Sequence, residues 1–301
     1  MTDADVAPLW DSSMYNAGFI IIRPTPPGIR LYLLVRSQTQ KSKRLPDQDA
    51  LNKVIKQLKK RKAAFRMHIL NKRRFLSGHA YFEMSGRLFP KDKDCSPSES
   101  ANCPIVVHNN WIVSKSAKIY RFREHLMWLY DGDDRYYSSE TRNYLTYTNP
   151  PEVVVGHQLS ALISALAIGH LLNRVVILPR FLCGTGPAYS CPLNSLIRIS
   201  NFDAYFKDRY RESSFLSHPK VPDAVKRKIY DGTKVLNWNS TAIVRVTSRK
   251  LRQLFGEITA RVLNLGPLLG FNIIFDDKLE NKTFKENVTK AIKRSIYRQN
   301  D

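Results

Sequence analysis

The 301-residue chain reads as an α/β protein of two units. Three observations carry that reading. A short apolar run at residues 18–23 passes through Pro24-Thr25-Pro26-Pro27 into helical apolar spacing, the order of a strand and then a helix. A second pattern starts after residue 151: Val153-Val154-Val155, Gly156, the apolar stretch Gln158 to Leu172, then Val175-Val176-Ile177-Leu178. Strand, turn, helix and strand in that order predict a parallel sheet. The length itself suits two domains of roughly 150 residues. Hydrophobic residues at 43% and charged residues at 25% are ordinary globular values and exclude a disordered or fibrous chain.

Each element follows from its local pattern. Residues 18–23 predict a buried strand that stops at Pro24. Ile29, Leu31, Tyr32, Leu33, Leu34 and Val35 predict a helix over 28–38. Pro46 opens a second helix, with Leu51, Val54, Ile55 and Leu58 on one face and Lys53, Lys56, Lys59 and Lys60 on the other. Residues 65–89 alternate between strand-like and turn-like segments, and 105–108 predict a strand. Residues 115–130 predict a helix with aromatics at Tyr120, Phe122, Trp128 and Tyr130. Residues 131–151, polar and ending on Pro150-Pro151, predict a linker between domains at 1–130 and 152–301. Beyond it, 241–246 predict a strand, and 249–263 and 283–298 predict helices.

Charge narrows the partners. Lys and Arg number 48 against 26 Asp and Glu, a net +22, and the isoelectric point is near 9.9. That balance admits nucleic acid, an anionic membrane surface, or an anionic small molecule such as a nucleotide diphosphate. Between Lys41 and Arg74 stand 13 basic residues against Asp47 and Asp49, a local +11. This stretch has no helix-turn-helix, zinc-finger or RNA-recognition signature, and Phe65 is its one aromatic. A nucleic-acid or polyanion-binding protein is therefore the alternative function, not the leading one. A face turned to an anionic membrane or acidic glycan, or simply to water, stays open beside it.

No run approaches 18 apolar residues, so no membrane-spanning helix is expected. The start, Met1-Thr2-Asp3-Ala4-Asp5-Val6, has no apolar signal segment. The four cysteines point toward an oxidising compartment. They fall as Cys95/Cys103 and Cys183/Cys191, each pair spanning seven loop-like residues, and predict two local disulfides, with free thiols the alternative. The spacing does not suit zinc. Sequons at Asn239, Asn281 and Asn287 lean the same way.

Four patterns in the first half carry the chemistry: Asn16-Ala17-Gly18-Phe19; Asp47-Gln48-Asp49-Ala50-Leu51-Asn52; Ser77-Gly78-His79-Ala80-Tyr81-Phe82; and Val106-Val107-His108-Asn109-Asn110-Trp111 with Lys115 after it. Each has a plain structural reading as well. Asn-Ala-Gly serves as a turn before a strand, Asp47 as a helix N-cap, Asp49 as a first-turn acid and His108 as a hydrogen-bonded strand-end histidine.

In this order and spacing the four resemble the nucleotide-diphospho-sugar transferase domain, in the glycosyltransferase family 77-like group of GT-A enzymes, over roughly Trp10 to Leu129. The resemblance implies a partial GT-A domain, with a Rossmann-like mixed sheet and flanking helices, followed by a second α/β Rossmann-like unit. It implies transfer of a sugar from a nucleotide-sugar donor to a hydroxyl of a glycan or protein acceptor. His108 matches the family's late histidine ligand for a divalent cation, usually Mn²⁺, which neutralises charge on the departing diphosphate. Lys115 is placed to help with the phosphates. Asp47, Gln48 and Asp49 match the catalytic segment on the acceptor side. Asn16 and Gly18 match the strand edge lining the sugar pocket, and Asn110 completes the late His-x-Asn.

One feature departs from the family. Its metal-binding Asp-x-Asp stands several tens of residues ahead of the Asn-Ala-Gly strand, whereas 15 residues precede Asn16 here. Asp3-Ala4-Asp5 spells the motif but follows no strand, and is read as a coincidence. The chain is accordingly expected to be the C-terminal part of a longer, membrane-anchored, Golgi-type enzyme, or else a catalytically inactive remnant. In the second half, Gly156-His157-Gln158 leading to Leu172-Asn173-Arg174-Val175-Val176-Ile177-Leu178-Pro179 resembles the start of fucosyltransferase-like Rossmann domains. Either an ordinary helix–strand packing unit or a phosphate site at the helix N-terminus is consistent with it. Tyr210-Arg211-Glu212 and His218-Pro219-Lys220 form polar clusters without an evident mechanism.

Overall fold

Strand β1 (Val6–Asp11) is covered on both faces, and that coverage organises the first of two units in this computed structural model. The structure describes residues 3–42, 44–61, 64–83, 103–129, 135–139, 141–149, 154–182, 190–191, 193–233, 235, 244–268 and 271–292. The units span Met1–Ile112 and Val113–Asp301.

In the first unit β1 pairs antiparallel with β2 (Met14–Ile22). The ladder shifts register between Pro8 and Leu9: Pro8 faces Ile20, while Leu9 faces Asn16. Ala17, Gly18 and Phe19 are therefore thrown out of the pairing. Pro8, which has no N–H to give the ladder, sits where the bulge begins. Helices α1 (Pro26–Lys41) and α2 (Asp47–Lys60) follow. Thr25 caps α1 by accepting from Gly28 N. Leu51, Val54, Ile55 and Leu58 of α2 join Val6 and Leu31 in one cluster, and Ala7, Leu9, Leu70 and Phe75 form another. Strands β3 (Phe75–Ser77) and β4 (Val106–His108) pair in parallel, with Ser77 opposite His108.

The second unit is built on a five-stranded parallel sheet. Its strands are β5 (Asn143–Thr148), β6 (Arg174–Ile177), β9 (Tyr210–Arg211), β10 (Ile229–Asp231) and β12 (Val262–Pro267), in the spatial order β10-β12-β5-β6-β9. The order reverses between β5 and β12, as in doubly wound sheets. Two smaller pairs are β7 (Phe181–Leu182) with β8 (Ser190–Cys191), and β11 (Val244–Thr247) with β13 (Phe271–Ile274). The helices are α3 (Lys115–Glu124), α4 (Arg135–Ser138), α5 (Val155–Leu171), α6 (Ile199–Phe206), α7 (Asp223–Arg227), α8 (Ser248–Phe255) and α9 (Lys278–Ala291). Gly169 lets α5 lie against β6, since a Cβ there would stand 2.7 Å from the Val176 side chain and 2.8 Å from Arg174 O. A mixed α/β fold with a parallel sheet flanked by helices is thus what the chain forms. No helix of the described residues is long and apolar enough to cross a membrane.

Several expectations are corrected. Residues 18–23 are not a buried strand. A strand does run through 18–22, as the second half of β2, but among the described residues it pairs with β1 only, and Ile21 is 40% exposed. The expected linker at 131–151 contains β5, whose Tyr144, Leu145 and Tyr147 are buried at the centre of the sheet. The compact units accordingly divide after Ile112 and not at 131–151. The strand ahead of α5 is β5, not Val153-Val154-Val155: Val155 already begins the helix, and Val153 lies outside the described residues. The helix expected over 249–263 ends at Phe255, and Leu263 lies in β12. The strand expected over 241–246 is β11, with residues 241–243 outside the described set.

Candidate functional site

The bulge after Asn16 opens a cavity of about 410 Å³ lined by Asp11, Asn16, Gly18, Asp47, Gln48, His108, Asn110 and Trp111. The end of β1, the bulge of β2, the start of α2 and the end of β4 meet there. Asp11 is the hub. Its carboxylate accepts from Asn16 Nδ2 at 3.0 Å, Asn110 Nδ2 at 2.6 Å and Trp111 Nε1 at 2.8 Å. Asp11 is 6% exposed and Asn16 1%, so these bonds form largely out of water, where each is costly to leave unmade. Asn16 Oδ1 accepts from Gly18 N at 2.7 Å, and Asn110 Oδ1 from Gly78 N at 2.6 Å. Both amides are thus engaged at both ends.

Gly18 has a specific steric duty. A Cβ at this position would overlap the His108 imidazole at Cε1 and Nε2. The glycine therefore seats the histidine against the bulge. On the other side, Asn52 ties α2 to β2, accepting from Tyr15 N at 3.0 Å and donating to Tyr15 O at 2.8 Å. Gln48 Oε1 accepts from Ala17 N at 3.4 Å. Asp47 is the first helical residue, not the N-cap. Pro46 holds the cap position, and Asp47 Oδ1 accepts from Gln48 N at 2.8 Å. Trp111, 52% exposed with a φ of 57°, closes the rim beside His79, whose ring lies 5.2 Å away.

Of the residues marked in the sequence, Asn16, Gly18, Asp47, Gln48, His108 and Asn110 share this cavity. Asp49 is exposed on the first turn of α2 and is not part of the lining. Lys115 is exposed at the start of α3, which belongs to the second unit. Asp11 is the residue sequence reasoning missed. It stands before Ser12-Ser13 in a hairpin, where an Asp reads as turn chemistry. Within Asp3-Ala4-Asp5, the Asp5 side chain has structural partners. Its carboxylate accepts from Arg66 N and from the Thr25 hydroxyl, bonds that hold it below the usual carboxylate range. Among the described residues no three His, Cys, Asp or Glu side chains converge as a metal set. Of the oxygen and nitrogen donors lining the cavity, Asp11 is committed to three N–H groups, which leaves the His108 imidazole and the Asp47 carboxylate as the side chains able to face a cation. Cys103 is buried, while Cys95 and Cys183, the side chain of Cys191, and Asn239 lie outside the described residues.

In the second unit, Gln158 is structural. It donates to Leu182 O and accepts from Leu182 N, both at 2.8 Å. Tyr210-Arg211-Glu212 belongs to a buried polar cluster: the Tyr136 hydroxyl donates to Glu212 Oε2 at 2.5 Å, and the Arg123 and Arg211 guanidiniums lie over the Tyr136 ring.

Comparison with known proteins bears on the first unit. Residues 1–122 match the family model for nucleotide-diphospho-sugar transferases, consistent with a partial GT-A domain. No curated protein and no solved structure gave a match.

Proposed function

We propose that the first unit forms the sugar-facing wall of a nucleotide-sugar-dependent glycosyltransferase of the family 77-like GT-A group, acting on a glycan or protein hydroxyl. One observation carries the reading: three sequence-distant segments, the β1–β2 hairpin, the start of α2 and the end of β4, converge on a single polar cavity within the stretch that matches the transferase family. Asp11, Asn16 and Asn110 are positioning residues, because their polar groups are spent on one another and on backbone N–H groups. Asp47, Gln48 and His108 then face the substrate. The Gln48 amide retains its N–H donors for a sugar oxygen. The Asp47 carboxylate orients and accepts from an acceptor hydroxyl. Asp49 has no direct contact in this reading, and Lys115, which belongs to the second unit, carries none of it.

A divalent cation, when bound, would neutralise charge on the departing diphosphate. Of the residues present, His108 is the one proposed to face it. A luminal, Golgi-type location is proposed from the family match and the sequons, and the Cys95–Cys103 disulfide is proposed with it.

The test incubates the protein with UDP- and GDP-sugars, with and without Mn²⁺, and measures donor binding and release of nucleoside diphosphate. Binding of at least one donor, weakened at least about tenfold in Gln48→Ala, is expected. Indifference to every donor would remove the transferase reading from this chain.

A further inference from the structure

The second unit contains a larger cavity, of about 520 Å³, that nothing above explains. It lies between α5, α6 and α9, next to Arg174, the first residue of β6. That is the amino end of the parallel strands, away from the carboxyl ends where open α/β sheets usually bind ligands. Its floor is apolar: Leu166, Val176, Phe206 and Phe284 are all buried. Its rim is polar and carries one exposed aromatic ring, Tyr205, at 40%.

Each of the rim's charges makes a local hydrogen bond through one or two of its atoms. Arg174 donates to Tyr144 O at 3.2 Å, Ala260 O at 2.9 Å and Ile258 O at 2.6 Å. His170 Nε2 and Glu280 Oε1 are 3.0 Å apart. Arg209 donates to Asn173 Oδ1 at 3.2 Å, and Asp277 Oδ1 caps α9 through Glu280 N at 2.9 Å. An anion entering here meets Asp277 and Glu280, and a cation meets Arg209. A neutral ring with one apolar face and a fringe of hydroxyls meets matching surfaces on both counts. A separate observation points to the same ligand class: Asn287, the acceptor of an Asn-x-Thr sequon, lines this cavity.

We propose that this cavity binds a neutral sugar residue, its apolar face on Tyr205 and the Phe206–Phe284 floor and its hydroxyls toward Glu280, Asp277 and Arg209. The chemistry has two possible sources, the first N-acetylglucosamine of a glycan on Asn287 itself or a separate glycan. The site is independent of the cavity in the first unit, so donor binding there can fail without touching this proposal.

The experiment uses the unglycosylated 301-residue chain titrated with N-acetylglucosamine and its β1,4-linked disaccharide, with backbone amides followed by NMR. Saturable shifts at His170 and Phe284, with Kd on the order of 1 mM, are expected. Tyr205→Ala should weaken binding at least about tenfold, Tyr205→Phe should retain it, and the distant Lys226→Ala should leave it unchanged. A second arm uses protein from a eukaryotic secretory host. A glycosylated Asn287 that blocks the free sugar assigns the site to the protein's own glycan; undiminished binding assigns it to a separate one. Absence of saturable shifts in folded unglycosylated protein, or equal binding by wild type and Tyr205→Ala, overturns the proposal.

Discussion

Asp11 gathers three N–H donors at a place where water competes poorly, so the site's geometry hangs on one carboxylate. Asp11→Ala should destabilise the first unit by about 2–4 kcal/mol, read from urea unfolding, because Asn16, Asn110 and Trp111 lose their acceptor together. A drop no larger than that of a surface Asp→Ala would show that the hub is dispensable. Gly18→Ala should leave stability nearly intact yet move the His108 imidazole, seen as a changed histidine ring resonance and weaker donor binding. Glu124 in the second unit gives a pH prediction. Burial, and then the charge of Glu212, push its pKa up to about 8 from 4.5, against the opposing pull of Arg121 and Arg180. Glu212 is raised as well, chiefly by burial. The folded state thus holds protons that the unfolded state releases. Their contribution to stability is complete below about pH 4.5 and is lost as pH rises toward 8. Melting of Glu124→Gln should lose part of this fall between pH 5 and 8, and an identical pH profile would contradict the assignment.

Among the elements, α2 is the one that aligns the site, since Asn52 and Gln48 clamp its first turns to the β2 bulge. Asn52→Ala should cost about 1–3 kcal/mol and loosen Gln48, detectable as faster amide exchange at Tyr15 and Ala17. This helix was legible in the sequence because Pro46 and the spacing of Leu51, Val54, Ile55 and Leu58 agree. So was the unit of parallel strands around α5, although its first strand was set too late. The hidden elements are those whose neighbours decide their state. In β1 a Pro interrupts the run, and its burial comes from the strands and chain packed around it. In 249–263 helical apolar spacing runs past Phe255 by chance, and the sheet claims Val262 and Leu263. The site was legible as four motifs, yet the bulge that exposes Gly18 to His108 comes from strand register, which no local pattern shows.

For the molecule as a whole, a net +22 first suggested a polyanion partner. Part of the basic stretch has local duties: Lys59 donates to the Tyr15 hydroxyl at 2.9 Å, and Lys72 lies over the Trp10 ring. Lys53, Lys56 and Lys60 remain exposed on α2. Binding to DNA or heparin should therefore be sequence-indifferent and fall steeply between roughly 50 and 200 mM salt. A sequence preference surviving at the higher salt would favour a nucleic-acid function instead. The central claim, that the cavity around Asp11 holds a donor sugar, is tested most directly by titrating ¹⁵N-labelled protein with UDP- and GDP-sugars. The account predicts saturable shifts at Gly18, the Gln48 side-chain amide and the Trp111 indole N–H with at least one donor. Shifts confined to other residues, or none with any donor, would contradict it.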